Sequence, residues 1–302
     1  MRYGKNILGI GLKDSLNFKW IVMSKISKQL LETSMKDIQA SYLLFDGKLY
    51  SQSFFYFQQA TEKAFKAFGI ACEAITENEI EEIRHNPLKI YRIIVEKQEL
   101  DVNQTIEKFN GNEKLLKSEL YKSFKVEEYK NLLEQEKQLL NKYGNIELFN
   151  IEHDDVIDIL EHLEEVEESK FTLPKNYKAL LRTGFTEYAG MLEPFNPIAA
   201  KDIRDCVTKD DELELLAKFI VIYWRRLFDL IFISKVLYFS TVVTMRHHVH
   251  ISRYPKDGVH PLEFYTKKLP MIKFLSDYLR LLERANKKMK KICFDPPSPS
   301  PK

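Results

Sequence analysis

The chain has 302 residues, 44% of them hydrophobic and 12% aromatic, which is enough apolar material for one large or two ordinary cores. Its 46 basic and 44 acidic residues leave a formal charge of +2, so overall charge gives no argument for nucleic acid and any such surface must be local. Ten glycines and eleven prolines leave little material for a turn-rich all-β fold, and the three cysteines, with no C-x-x-C pair, argue against a zinc ribbon or a disulfide framework.

The opening MRYGKNILGIGLKDSLNFKW has no sustained apolar core before a small-residue cleavage site, so the expectation is a cytoplasmic protein that is not exported. An apolar rhythm at helical spacing from Trp20 to Phe45 (Ile21, Ile26, Leu30, Leu31, Met35, Ile38, Leu43, Leu44) predicts a first helix ending at Asp46-Gly47. A second begins near Tyr50 with Phe54, Phe57, Ala60, Ala64 and Phe68 on one side, and the turn between them is short enough only for a helical hairpin. Asn86-Pro87 reads as an N-cap followed by proline at the first helical position, so a third helix starts there.

From about residue 105 to 211 the texture changes to charged, weakly amphipathic helices broken at Gly144-Asn145 and Leu173-Pro174. This stretch reads as an insertion, and the acidic run DDVIDILEHLEEVEE within it as a solvated helix face. A long helix then runs from about Asp211 to Met245. Its apolar part carries Arg225, Arg226, Asp229 and Lys235, which points to a buried helix rather than a membrane span. A last helix, kinked or shortened by Pro270, leads to a proline-rich tail at 293–302 that is expected to be disordered.

RHHVHISRYPKDGVHP, residues 246–261, holds four of the seven histidines. His247 and His250 share a helical face but have no third ligand in sight, so the reading is no metal and no cofactor. On the second helix, Glu62 and Lys66 have ion-pair spacing, and Ala60, Ala64 and Ala67 permit close approach of a neighbour. Gln58 and Gln59 either read a nucleotide base or satisfy buried groups.

Gln58-Gln59-Ala60-Thr61-Glu62-Lys63-Ala64-Phe65-Lys66-Ala67, His85 before Pro87-Leu88, and Ser252-Arg253-Tyr254-Pro255 ahead of a final amphipathic helix occur in an order that resembles the HEPN superfamily (higher eukaryotes and prokaryotes nucleotide-binding). The resemblance covers roughly residues 24–104 and 212–290 and departs from the family in the insertion between them. It implies an all-α, HEPN-like up-down helical bundle with an inserted helical subdomain. Residues 1–23 then form an N-terminal segment, 24–104 and 212–292 the two halves of the bundle, and 105–211 the insertion.

The resemblance further implies a nucleotide- or RNA-binding protein, a homodimer, acting as a toxin or accessory component of a defence or toxin–antitoxin pair with a nucleotidyltransferase-type partner. Gln59, Lys63, Lys66, His85, His250 and Tyr254 are its candidate binding residues. Many members are metal-independent ribonucleases with four to six residues between an arginine and a following histidine, and Arg253 and His260, with six between them, stand at that spacing. His260 would take the proton of a ribose 2′-OH and Arg253 would hold the growing phosphate charge. A pair at such spacing arises by chance about once in a chain with this many arginines and histidines. Tyr254-Pro255 after the arginine also matches members not thought to cleave RNA, and a structural turn stands beside the nuclease reading. His85 has the same two readings, cleft or cap. A third reading is an interaction scaffold whose charged insertion recruits a protein.

Overall fold

The computed structural model describes residues 24–83, 87–110, 152–168, 172–244, 252, 254 and 260–294, together with six helical positions between 130 and 141. Among these residues all regular structure is helical and there is no strand, as the composition predicts. The helices are α1 Lys25–Asp46, α2 Tyr50–Ala71, α3 Glu79–Ile83, α4 Pro87–Asn110, α5 His153–Glu168, α6 Tyr177–Leu192, α7 Pro197–Thr208, α8 Asp210–Val243, α9 Pro261–Phe264, α10 Pro270–Lys273 and α11 Leu275–Phe294. No helix among the described residues is long and apolar enough to cross a membrane. Contacts divide the chain into two compact units. One comprises residues 1–19, 98–135 and 170–226, the other 20–97, 136–169 and 227–302, with boundaries inside α4 and α8.

The larger unit is built on the α1–α2 hairpin. Ser24 caps α1 by accepting a hydrogen bond from the Ser27 amide at 3.2 Å, which satisfies one of the donors a helix start leaves open. The buried face of α1 is Ser27, Leu31, Ser34, Ile38 and Ser41, spaced four and three residues in alternation. Every second contact position is therefore a serine, while Ile26 and Leu43 of the apolar rhythm are exposed. The predicted helix exists, but its contact face alternates serines with Leu31 and Ile38 instead of being wholly apolar.

Opposite them stand Ser53, Ala60, Ala64 and Ala67 of α2, all buried. The Ser34 hydroxyl donates to the Ala60 carbonyl at 2.7 Å, and Ser41 and Ser53 each donate to the other's carbonyl at 2.7 and 2.8 Å. A serine hydroxyl reaches the neighbouring backbone only when the two helix axes run unusually close, which residues this small allow. Gly69 makes a second close approach, since a Cβ there would lie 2.6 Å from Cγ2 of Ile90 on α4.

α11 packs on this hairpin, with Leu279, Leu282, Ala285 and Met289 in the core and Asn286 fully buried and donating to Ser34 Oγ at 2.9 Å. Pro261 and Pro270 each begin a one-turn helix, and α11 starts only after the second, the shortening that Pro270 predicts. The second half of α8, Phe232 to Val243, is buried, and Tyr238 stacks on Tyr91 of α4 with ring centroids 4.6 Å apart. α5, placed in the insertion by the sequence reading, sends Val156 and Leu163 into this core. Its acidic outer edge pairs with α11 through Glu164–Arg280 at 3.1 Å and Glu167–Arg284 at 2.8 Å.

The smaller unit holds an α6–α7 hairpin and the first half of α8. Asn196 caps α7 by accepting from the Ala199 amide at 3.0 Å, Pro197 takes the first helical position, and Arg204 forks onto Glu193 at 2.8 and 2.5 Å. α7 returns along α6, because Arg182 near the start of α6 donates to the Val207 carbonyl at the end of α7 at 3.0 Å. Lys178 pairs with Glu214 at 2.9 Å and with Asp210 at 3.5 Å, and Arg182 also meets Asp210. The expectation that the long apolar helix is buried holds only for its second half. In the first half Leu215, Phe219 and Ile222 are exposed.

Two outcomes follow from these contacts. Ser34→Ala removes a hydroxyl that both donates to Ala60 and accepts from Asn286, so it should cost about 1–3 kcal/mol in urea unfolding. Ser34→Leu should cost more, because its extra methylenes press on the α2 backbone. An Ala variant as stable as wild type would show that the hairpin does not depend on this contact. Separately, Lys178 and then Arg182 hold the Asp210 carboxyl below its usual range. A depressed folded value means the contribution is present above the ordinary carboxylate value of ~4 and is lost as pH falls through the lower folded value. Asp210→Asn should flatten that acid limb in melts taken from neutral to acid pH.

Candidate functional site

The sequence places its candidate residues on α2 and on the segment that leads into α9, and the fold connects these two regions at the first turn of α2. Ser51, buried there, donates its hydroxyl to the Ser252 carbonyl at 2.5 Å, across 201 residues of chain. Three residues along α2, the Phe54 ring packs against Tyr265 with centroids 5.4 Å apart. The residues just before Arg253 and just after His260 are thus both fastened to one helix turn. Burial pushes the Tyr265 hydroxyl well above the usual phenol range, so it stays neutral at any physiological pH.

His260 is the N-cap residue of α9 in an extended conformation. Its backbone carbonyl accepts from the Glu263 and Phe264 amides at 3.1 and 3.0 Å, while its side chain makes no cap hydrogen bond. The imidazole is solvent-exposed, and Pro261 behind it is buried and holds the turn. Tyr254 is 62% exposed. Arg253, His250 and His85 lie outside the described residues, as do His247 and His248. Among the described residues no group of three His, Cys, Asp or Glu side chains is arranged to hold a metal ion.

On α2 the other candidates are committed to internal partners. Lys63 pairs with Asp37 of α1 at 2.5 Å, and Lys66 pairs with Glu62 at 2.8 Å with both side chains about nine-tenths buried. Phosphate could recruit these lysines only by displacing a carboxylate from a poorly hydrated position, which is costly. Gln59 is half-buried, whereas its neighbour Gln58 is 6% exposed and its Oε1 has no partner among the described residues. Gln58, Glu62 and Lys66 recur every four residues and share one side of α2, with Gln58 and Glu62 buried and the Lys66 side chain nearly so.

These two regions are not one site. At 1.5 Å rise per residue, Gln59 lies about 12 Å along α2 from Ser51, Lys63 about 18 Å and Lys66 about 22 Å. The fold therefore groups Ser252, Tyr254 and His260 with the start of α2 and sets the two lysines three to four turns away. Sequence reasoning missed Ser51 and Tyr265, the residues that fasten the segment. A short-range pattern carries no trace of a serine whose partner is 201 residues away.

Comparison of the chain with family models, with curated proteins and with solved structures found no match.

If the Glu62–Lys66 pair is structural, Lys66→Ala removes the cation that faces a nine-tenths-buried carboxylate and should lower stability by about 1–3 kcal/mol in chemical unfolding. The double variant Glu62→Gln/Lys66→Met should recover most of that loss. A Lys66→Ala protein of unchanged stability that has lost RNA affinity would instead make Lys66 a ligand contact.

Proposed function

We propose that this chain is a HEPN-like protein that binds nucleotide or RNA, acting as a toxin or accessory component of a defence or toxin–antitoxin pair. The observation that carries the reading is the Ser51–Ser252 bond. It fastens Ser252, the residue before Arg253, to the helix that bears Gln58-Gln59-Ala60 and Glu62-Lys63, and both stretches lie in one compact unit. The close α1–α2 hairpin and the amphipathic α11 packed on it support the same reading.

The second reading, a metal-independent endoribonuclease, is favoured by the state of His260. Its ring is exposed and is not used to cap α9, so it is available for proton transfer. In that chemistry the ribose 2′-oxygen attacks phosphorus as the imidazole of His260 takes its proton. The P–O5′ bond breaks, the departing O5′ takes a proton from water, and the products are a 2′,3′-cyclic phosphate and a 5′-hydroxyl. The guanidinium of Arg253 would hold the charge that grows on the non-bridging oxygens.

The deciding experiment incubates the purified full chain, His260→Ala and Arg253→Ala with total RNA in the presence of chelator, followed by end-group analysis and by fluorescence anisotropy with labelled single-stranded RNA. Salt-dependent binding in all three proteins with no cleavage supports the binding reading and removes the nuclease one. Cyclic phosphate ends that fall at least a hundredfold in His260→Ala support the nuclease. Neither binding nor cleavage of RNA or nucleotide by wild type would overturn both and leave the scaffold.

A further inference from the structure

Every exposed position from Lys273 to Lys291 is basic: Lys273, Arg280, Arg284, Lys287, Lys290 and Lys291. Within α11, Arg280, Arg284, Lys287 and Lys291 follow one another at steps of four, three and four residues. They therefore form one row about 17 Å long on the solvent side of the helix. The helix dipole accounts for only one of these charges, since Lys291 alone lies in the final turn. Acids of the same helix answer two of them, Asp277 with Arg280 at 3.2 Å and Glu283 with Lys287 at 2.6 Å. Among the described residues no carboxylate pairs with Lys290 or Lys291.

α5 runs alongside in the same direction. His153 at its start lies 2.5 Å from Lys273, and Glu164 and Glu167 near its end pair with Arg280 and Arg284. Its last pair falls at Arg284, so it occupies the first half of the row and leaves Lys287, Lys290 and Lys291 open. Both arginine side chains are nearly half exposed, and ion pairs this wet add little stability. Val156 and Leu163, buried in the core, are what hold α5 in place. The effect of Glu164 and Glu167 is then on charge: they cancel half of the basic row.

The composition of the row decides what fits it. A protein partner needs apolar or aromatic anchors at the centre of its interface, and no exposed position from 273 to 291 is apolar. A helix that lies in a membrane surface needs an apolar face for the same reason. Cations at steps of about 6, 4.5 and 6 Å along one line suit a strand of phosphates instead, and 17 Å of a single strand at B-form spacing carries about five. The charges of Asp277, Arg280, Glu283 and Arg284 also act on Tyr42 of α1, whose hydroxyl is pushed up to about 12 by burial first and by Glu283 next. This partly exposed ring gives the row an aromatic neighbour, as single-strand sites have.

We infer that the α11 row Arg280–Arg284–Lys287–Lys291 is a contact surface for the phosphate backbone of single-stranded RNA, and that α5 is its internal competitor, with Glu164 and Glu167 standing where two phosphates would bind. The inference rests on the RNA reading above and adds to it a surface and its regulation. The test measures binding of labelled oligouridine to the full chain by fluorescence anisotropy over a salt series. Lys287→Ala/Lys291→Ala should weaken binding roughly tenfold and lower the slope of log affinity against log salt by about 1.4, the share of two phosphates on a single strand. Glu164→Gln/Glu167→Gln frees two arginines, so it should tighten binding roughly fivefold and steepen the slope by about the same amount. Both double variants keep Val156 and Leu163, and their circular dichroism spectra should match wild type. As a second measurement on the unaltered chain, RNA should protect Lys287, Lys290 and Lys291 from amine acetylation read by mass spectrometry. Equal affinity and slope in all three proteins would overturn this inference and leave the RNA reading standing, whereas no RNA binding by any of them would overturn both. Weakening by the lysine pair without tightening by the glutamine pair would remove α5 as competitor. A row that binds anionic lipid vesicles in preference to RNA would overturn the inference as well.

Discussion

The larger unit depends on how closely α1 and α2 approach each other. The Ser34 hydroxyl can donate to the Ala60 carbonyl only if nothing larger than a hydroxymethyl or methyl group stands between the helices. That restriction explains the composition of both helices. α1 gives serine to alternate contact positions and keeps Leu31 and Ile38 for those between, and α2 answers with Ser53, Ala60, Ala64 and Ala67. Hydroxyls here do not leave unsatisfied buried groups, because Ser34, Ser41 and Ser53 each donate to a carbonyl of the partner helix and Ser27 donates to the Ser24 carbonyl at its own N-cap. The hairpin exchanges apolar bulk at its contact for directional bonds that define its register.

Tight pairing on one side of α2 leaves the large side chains to the other elements. Phe54 and Phe57 meet Tyr265 and Tyr278, Phe65 meets Tyr91, and Tyr91 stacks on Tyr238, so aromatic rings connect α2 to the C-terminal helices and to α4 and α8. The same helix carries the Glu62–Lys66 ion pair. An ion pair this buried adds little net stability, but removing one partner is expensive, so its clearest effect is to forbid other arrangements of α2. The same economy holds on the outer side of α11. There the acidic edge of α5 neutralises Arg280 and Arg284, while Val156 and Leu163 do the packing.

Much of the architecture was legible in the sequence, because helices are local. The start of α2 at Tyr50, the start of α4 at Pro87, the break at Leu173-Pro174 and the interruption at Pro270 all follow from caps, prolines and periodicity. What escaped were choices made by distant neighbours. Ile26 and Leu43 match the helical period yet face solvent, because the face that pairs with α2 is set by size rather than hydropathy. The first half of α8 carries Leu215, Phe219 and Ile222 among its charges, and these face solvent, whereas the more apolar second half is surrounded. Of the candidate site, His260 and Tyr254 could be named from motif and position. The anchors Ser51 and Tyr265 could not, since nothing local distinguishes them from other serines and tyrosines. The alternating serines of α1 are the one missed signal that a reader of sequence could recover, as a four-three spacing of small polar residues.

The Ser34–Asn286 bond also has a temporal meaning. Asn286 supplies the hydrogen bond that completes Ser34, yet 252 residues separate the two. At ordinary rates of synthesis, roughly 5–20 residues per second, the hairpin leaves the ribosome tens of seconds before α11 exists. Its own contacts span few residues and can form at once, but the apolar side of α2 must wait, uncovered, for helices made last. The nascent chain therefore spends most of its synthesis with α4 alone covering part of that side, and the bundle closes only when α11 is made.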